Sequence, residues 1–401
     1  MAAIPLEVAQ PTVAAIYRAH VAAAEDWRRP HLGASQLGKP CARALWYGFR
    51  WAAAPRHDGR MLRLFRRGQR EEAEFVRALR AAGIEVEEVD RATGTQFRFA
   101  VVGGHVGGSM DAKARGLPES PQAWHVCEFK TSNAKAFAKL QKEGVAKAKP
   151  EHHAQMQCYL HWSSLTRALY LCVNKDTDEL YSERVKYDPA EAEALMAKAE
   201  RVVTAAEPPP RLSDDPSWFA CKFCDYHAVC HGGAMAEAHC RTCAHATPEP
   251  DGDARWTCAR HGNHAIPLAY QKEGCPEHRW IPALVSFAEY VGGSQAENSV
   301  LYRLPDGRTF RNGAPPTGYA SGEMRAPGFA AVLGDALVEL ARREPHNGQI
   351  ADPTFSPEVW IIPSVMVVDF IYHAPGGRRV VTRTSLNSKG KAYRDAWRLL
   401  S

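Results

Sequence analysis

Residues 104–130, GHVGGSMDAKARGLPESPQAWHVCEFK, constrain this chain more than any other stretch. They read as two strands joined by a polar turn, with Asp111 on the first and Glu128, Phe129 and Lys130 on the second. Side chains alternate across a strand, so Glu128 and Lys130 share one face and Phe129 takes the other. Two carboxylates and an ammonium at adjacent strand ends are costly to bury unless something uses them. A divalent cation is the natural use. Mg²⁺ or Mn²⁺ takes oxygen ligands, and Asp111, Glu128 and the Phe129 carbonyl offer three, with water completing the shell. Lys130 beside such an ion would favour deprotonation of a water there. A solvated hairpin with a chance Glu-x-Lys is the bland alternative.

Composition narrows the class. The chain has 401 residues, 45% hydrophobic and 24% charged, which suits an ordinary globular protein of two or three domains. No apolar run is long enough to span a membrane, and the N-terminus lacks a signal pattern, so the expected compartment is the cytoplasm. A net charge of +5 gives no global argument for nucleic acid. Of eleven cysteines, seven lie from Cys221 to Cys275 in short metal-ligand spacings. Cys127, Cys158 and Cys172 sit in apolar contexts and read as core.

The flanking chain adds further candidates. Residues 1–30 read as an amphipathic helix. In HLGASQLGKPCARALWYGFRW, Ser35 can cap a helix and Cys41 lies near its start. RMLRLFRRGQREEAEFVRALRAAG (60–83) reads as a helix closed by Gly83. Its apolar stripe is Phe75, Val76, Leu79 and Ala82, and Glu72 falls on that stripe. A buried ion pair with Arg43 or Arg70 is one reading of Glu72. A carboxylate facing the metal site is the other. Residues 84–102 read as strands of an antiparallel unit. Lys135, Lys139, Lys142, Lys147 and Lys149 follow the Glu-x-Lys, either as a solvated face or as neutralisers of DNA phosphates. PEHHAQMQCYLHW is a helix from Pro150 with Gln155 and Tyr159 on one face, extended by His152 and Trp162. A hairpin, a helix and the proline-rich EPPPRLSDDPS come next.

Taken together, Asp111 followed by Glu128-x-Lys130 resembles the PD-(D/E)xK nuclease superfamily. The order Gly68-x-x-x-Glu72, Asp111, Glu128-x-Lys130 and Gln155-x-x-x-Tyr159 resembles its RecB-like branch, although Gln69 stands where relatives often carry His. The resemblance implies a restriction-endonuclease-like core: a mixed central sheet flanked by helices, α/β in class. It implies that Glu72 positions a second ion or the attacking water, that Lys130 orients or deprotonates that water, and that Gln155 and Tyr159 contact the strand or hold Lys130. It covers about residues 30–232.

Cys221, Cys224 and Cys230 are spaced C-x2-C-x5-C, which leaves a tetrahedral set one ligand short. Cys41 is the candidate fourth. One cysteine before the nuclease core and three after it resembles the iron–sulfur RecB-like nucleases, among them the CRISPR-associated adaptation nucleases, the AddB subunit and phage recombination exonucleases. There a [4Fe–4S] cluster staples the domain's two ends. A Cys₄ zinc site is the rival. Cys240, Cys243, Cys258 and Cys275 then read as a zinc-ribbon-like module, with His239, His245, His261 and His278 as alternates. Beyond residue 284 we expect a hairpin turning at Asp306-Gly307, a helix from Met324, strands in EVWIIPSVMVVDFIYH and a terminal helix.

The expected domains are therefore a nuclease domain (1–235), a Cys/His zinc module (236–283) and an α+β C-terminal region (284–401). The expected function is metal-dependent DNA exonuclease action in recombination, repair or phage DNA processing, on DNA without sequence preference. A recombination or single-strand-annealing protein is the expected partner class. The alternatives are a nuclease trimming DNA ends in CRISPR adaptation, and a non-catalytic DNA-binding scaffold that keeps the fold.

Overall fold

The structure is a computed structural model that describes residues 9–24, 26–55, 57–326, 328, 329 and 333, and the backbone of three strands within 356–386. The chain divides into two compact units, Met1–Gly274 and Cys275–Ser401. The division falls inside the stretch 236–283.

In the first unit, helix α1 (Pro11–Ala22) packs against α4 (Gly59–Ala81). The approach is close: a Cβ on Gly59 would sit 2.4 Å from the Tyr17 Cα. Strand β1 (Leu32–Gly33) leads into the short helix α2 (Ala34–Leu37) and then α3 (Ala42–Phe49). Cys41, not Ser35, caps α3, its sulfur accepting from the Ala44 N–H. Helix α4 starts on an Asp58 cap and ends before Gly83, whose φ is +79°. Its stripe Phe75, Val76 and Leu79 is buried against the central sheet.

That sheet has five strands: β2 (Glu85–Glu87), β5 (Ala112–Arg115), β6 (His125–Ser132), β7 (Arg167–Asn174) and β8 (Leu180–Lys186), in the order β2-β5-β6-β7-β8. Only β6 and β7 run parallel, and the remaining pairs are antiparallel. The parallel pair needs a crossover, which α5 (Ala134–Glu143) and α6 (Pro150–Ser163) provide. Strand β7, ALYLCVN, is buried along nearly its whole length, as a central strand covered on both faces must be. Cys127, Cys158 and Cys172 are buried in this core. Helix α7 (Pro189–Thr204), capped by Asp188, closes the layer.

Two expectations about strands need correction. Residues 84–102 do not form one antiparallel unit. Strand β2 pairs with β5, while β3 (Arg98–Val101) pairs with β4 (Val106–Ser109) in a separate three-stranded sheet ordered β1-β4-β3. Nor does Asp111 lie on a strand. Met110 and Asp111 form the break at which the chain leaves β4 and enters β5. Residues 104–130 thus contain three strands, and the alternation of the sequence continues through the break without betraying it.

The first unit ends in a small sheet of β9 (Ala246–Pro248), β10 (Trp256–Cys258) and β11 (His264–Ala265), ordered β11-β10-β9. This segment is docked by two buried guanidiniums. Arg241 is 1% exposed and donates to the carbonyls of Phe49 and Pro30 and to Gln271, with its guanidinium 3.6 Å from the Trp51 ring centre. Arg50, equally buried, donates to the Arg241 and Ala246 carbonyls and stacks between Trp46 and Trp256.

The second unit holds a sheet of β12 (Glu289–Ser294), β13 (Ser299–Arg303) and β14 (Thr309–Asn312). The expected hairpin is there, and Gly307 turns it with φ +88°. Strands β15 (Ser356–Ile362), β16 (Val365–Ala374) and β17 (Arg378–Leu386) form an antiparallel meander. The helix expected over 324–343 falls almost wholly, and the terminal helix expected over 389–400 wholly, outside the described residues. Among the described residues, no helix is long and apolar enough to cross a membrane.

Candidate active site

The site is built where α4, the β4–β5 break and β6 meet. Strand β6 presents Glu128 and Lys130 on one side, while Phe129 turns into the core and stacks on Phe75 of α4, ring centres 5.2 Å apart. Glu128 is completely buried. Lys130 forms an ion pair with its Oε1, yet neither Glu128 oxygen receives a hydrogen bond of good geometry. Asp111 is pinned by the backbone: the Phe129 N–H donates to its Oδ2 at 2.9 Å. The opening at the β4–β5 break makes this contact possible, because a regular strand residue would have spent that N–H on the ladder.

Glu72 completes the group. It feels Asp111 and Lys130, not Arg43, which donates instead to Tyr47 and the Pro209 carbonyl. Three carboxyls and one ammonium therefore converge, and their titration reflects it. Burial raises Glu72 to about 7, with Asp111 adding to the effect and Lys130 opposing it. Glu128 is raised to about 7, again by burial first, with Lys130 opposing. Asp111 is raised for the same reason. Burial acts to lower Lys130, but the surrounding carboxylates outweigh it and hold the ammonium charged. Clustered acids of one sign, each disfavoured when ionised, are a familiar mark of functional sites.

The donor set fits a divalent cation. Asp111 and Glu128 are hard oxygen donors, and both Glu128 oxygens are buried without a hydrogen bond of good geometry, a shortfall that a cation would make good. Among the described residues, no group of three or more His, Cys, Asp or Glu side chains is arranged to hold a metal by itself. Two carboxylates with water and substrate oxygens are the usual complement for Mg²⁺.

Helix α6 supports the site from behind. Tyr159 donates to the Ser109 carbonyl at 2.7 Å, two residues before Asp111, and Gln155 is hydrogen-bonded to Tyr159. The pair thus holds the end of β4, just before Asp111, more directly than it holds Lys130. Tyr159 also explains a glycine: a Cβ on Gly108 would lie 2.7 Å from its hydroxyl. Tyr159→Phe keeps the ring and its contacts with Phe99 and Trp162 but loses the hydrogen bond. We expect about 1 kcal/mol of destabilisation in urea unfolding. Cleavage should slow through kcat, with KM little changed.

Sequence reasoning put His152 on the Gln155–Tyr159 face without a role, and did not single out Tyr170. His152 lies close enough to Lys130 that burial first, and Lys130 next, lower it to about 3. Its Nδ1 is 2.9 Å from the Tyr170 hydroxyl, and Tyr170 is the residue opposite Glu128 in the β6–β7 register. A neutral imidazole beside the ammonium leaves no repulsive cation there. The spacing of His152 to Gln155 and Tyr159 was legible, but the parallel register was not.

The cysteines fall into two places. Cys41, Cys221, Cys224 and Cys230 line one cavity of about 320 Å³ between the start of α3 and the turns at 218–231. Cys221 and Cys224 each sense Cys41 across it. In the second set, Cys240 and Cys243 are joined by one tight turn, and Cys258 lies opposite Ala246 in the β9–β10 register. His239 binds the Trp51 carbonyl through Nε2. Cys275 opens the second unit.

Comparison with solved structures finds distant likenesses. SSO0001 matches at 17% identity and a TM-score of 0.34, over 56% of this chain and 96% of that one. The alkaline exonuclease LHK-Exo from Laribacter hongkongensis matches at 18% identity and 0.32, over 45% and 90% of the two chains. The same enzyme in complex with dAMP matches at 18% and 0.32, over 44% and 87%. No curated protein matches the chain. Residues 12–231, more than half of the sequence, match the family profile that spans α1 through the Cys221–Cys230 turns and includes every carboxylate and the lysine of the site. The chain belongs to the PD-(D/E)XK nuclease superfamily.

Proposed function

We propose that this protein is a Mg²⁺- or Mn²⁺-dependent deoxyribonuclease that digests DNA from its ends, as an exonuclease serving recombination, repair or phage DNA processing. The observation that carries the reading is the convergence of Glu72, Asp111, Glu128 and Lys130 in one charge cluster. Asp111 and Glu128 would hold the cation, together with the Phe129 carbonyl. When bound, that ion supplies Lewis-acid stabilisation of charge building on the scissile phosphate. The protein's own groups do the rest. Lys130, kept charged by its neighbours, orients the attacking water through Nζ and offsets the negative charge of the pentavalent phosphate. Glu72, poised near neutrality, accepts the proton of that water. The Phe129 N–H fixes Asp111, and Tyr159 fixes the segment that carries it. The lysines of 135–149 lie just past β6, and Lys135, Lys142 and Lys147 are exposed and able to meet phosphates without reading sequence, while Lys139 pairs with Glu143.

The experiment uses end-labelled linear DNA and a circular form of the same sequence, with Mg²⁺ and then with EDTA. Linear DNA should be degraded from its ends, the circle spared, and EDTA should stop the reaction. Digestion that ignores EDTA, or that Asp111→Ala leaves untouched, would remove the enzymatic reading.

The cavity shared by Cys41, Cys221, Cys224 and Cys230 supports a [4Fe–4S] cluster tying the start of the domain to its end. One zinc ion would need its four sulfurs within about 4 Å of one another, given Zn–S bonds of about 2.3 Å. A [4Fe–4S] cluster holds its four thiolates farther apart, each on a separate iron atom. Protein purified anaerobically should be brown and contain iron and sulfide, and Cys224→Ser should be colourless and melt at lower temperature. A colourless parent carrying zinc at this site would select the rival metal. We assign Cys240, Cys243 and Cys258 to a separate structural zinc site, which elemental analysis of the parent would register as one zinc per chain.

A further inference from the structure

Helix α4 carries a second feature that the nuclease chemistry does not use. Its first half, GRMLRLFRRGQR, contains Arg60, Arg63, Arg66, Arg67 and Arg70 and not one acid before Glu71. This runs against helix electrostatics, since the amino-terminal end of a helix dipole favours negative charge and repels cations. Arg67 is accounted for by Glu71 and the Lys175 carbonyl. Arg63, Arg66 and Arg70 are exposed and make no hydrogen bond or ion pair among the described residues. At positions i, i+3 and i+7 they form one row on the helix surface. With His20 of α1 and Gln69 they line a cavity of about 420 Å³ that contains no acid.

A neighbouring cavity of about 730 Å³ shares His20, Arg66 and Gln69 with the first, so the two adjoin at these residues. The larger cavity is lined further by Arg29, His31, Lys39 and His57 and, on the acid side, by Asp26 and Asp225. Asp26 is already held by Arg28 and Lys272. Glu72, Asp111, Glu128 and Lys130 line neither cavity, and around the axis of α4 the three unpaired guanidiniums lie opposite Glu72, on the outer face of the helix. The three arginines lie about 4.5 and 6 Å apart along the helix axis, of the same order as successive phosphates on a strand.

We propose that Arg63, Arg66 and Arg70, flanked by His20, form a phosphate-binding track that holds the sugar–phosphate backbone of the DNA substrate along the outer face of α4, outside the carboxylate–lysine centre. The inference rests on the nuclease reading and names a surface outside that site that holds the backbone of its substrate. Guanidiniums suit the task, because each can fork onto a phosphate in any sequence context. Arginines that contact only phosphate position the strand and do not read bases.

The test measures binding of a fluorescent oligonucleotide by anisotropy in EDTA, where no turnover occurs, across a series of salt concentrations. The proteins are the parent, Arg63→Ala/Arg66→Ala/Arg70→Ala, the corresponding triple lysine variant, and a control, Arg303→Ala/Arg308→Ala/Arg311→Ala, from the second unit. The alanine triple should bind on the order of 10²-fold more weakly near 0.1 M salt, and its salt slope should flatten by about 2 to 3. The lysine triple should recover most of the slope, the control should match the parent, and all four should melt alike. A parent that digests linear DNA while the alanine triple keeps its affinity and slope would overturn the track and leave the nuclease standing. Equal weakening of the control would overturn it too. A parent that neither binds nor cuts DNA would instead remove the nuclease reading on which the track rests.

Discussion

Asp111→Asn and Lys130→Met should each slow DNA hydrolysis by about a thousandfold or more, since each removes a group that meets charge developing in the transition state. Their effects on stability should have opposite signs, and that contrast tests the electrostatic account. Asp111 is one of three acids whose ionised form burial disfavours. Its asparagine replacement still accepts from the Phe129 N–H through the amide oxygen, so the structural contact survives while the like-charge crowding falls. Without metal, Asp111→Asn should therefore melt above the parent. Lys130 is the only cation that meets the wholly buried Glu128 as an ion pair among the described residues. Lys130→Met strips Glu128 of that partner and should melt below the parent, most clearly at pH above 7, where the carboxyl would otherwise be ionised. Active sites commonly hold such strain, with function taken at the expense of stability. End-labelled DNA turnover and thermal melts in EDTA give both readings. Asp111→Asn digesting DNA at the parent's rate would sink the assignment, and identical melting shifts for the two variants would sink the charge-cluster account.

Much of this site was legible because its signals are local. The Glu128-x-Lys130 alternation, the stripe placing Glu72 inward and the i, i+4 relation of Gln155 to Tyr159 each follow from one element's own period. Helix ends were legible for the same reason, since Gly83 and Pro150 act within a turn of themselves. What escaped was non-local. Residues 84–102 alternate correctly, yet β2 and β3 belong to different sheets, and alternation says nothing about which partner a strand will find. Asp111 sits at a change of sheet that leaves no mark on the pattern. The partner of Glu72 could not be chosen between nearby arginines and distant acids without the fold. The arginine row of α4 was visible as composition, but its meaning depends on α1 lying beside it and on the absence of acids facing it.

The stability of the whole first unit should hinge on Arg241, a residue that no spacing or motif singled out. Arg241→Met, which keeps length and apolar bulk, should destabilise that unit by about 3–5 kcal/mol, the range expected when one side of a buried polar network is removed. The guanidinium donates to the Phe49 and Pro30 carbonyls and to Gln271, and three indole or phenyl faces, those of Phe49, Trp51 and Trp256, surround it. A thioether restores the packing and none of the donors, leaving the buried Phe49 carbonyl and Gln271 amide oxygen unsatisfied. Arg241→Lys keeps the charge but cannot reach in three planar directions from one rigid fork, so most of the loss should remain. Arg50 should not compensate. It is itself buried, repels Arg241, and already serves the Arg241 and Ala246 carbonyls. The acceptors at Pro30 and Phe49 bracket the chain from β1 through Cys41 to the end of α3. Loosening Arg241 should therefore also disturb the groove lined by His31 and Lys39 and the cysteine cavity, and lower DNA cleavage at temperatures where the parent is still fully active. Urea unfolding followed by tryptophan fluorescence, which reports Trp46, Trp51 and Trp256 around this contact, measures the first effect, and cleavage rates across temperature measure the second. A midpoint shift in Arg241→Met worth less than about 0.5 kcal/mol, the range of ordinary surface substitutions, would mean the segment 236–274 is held by something other than these guanidinium contacts.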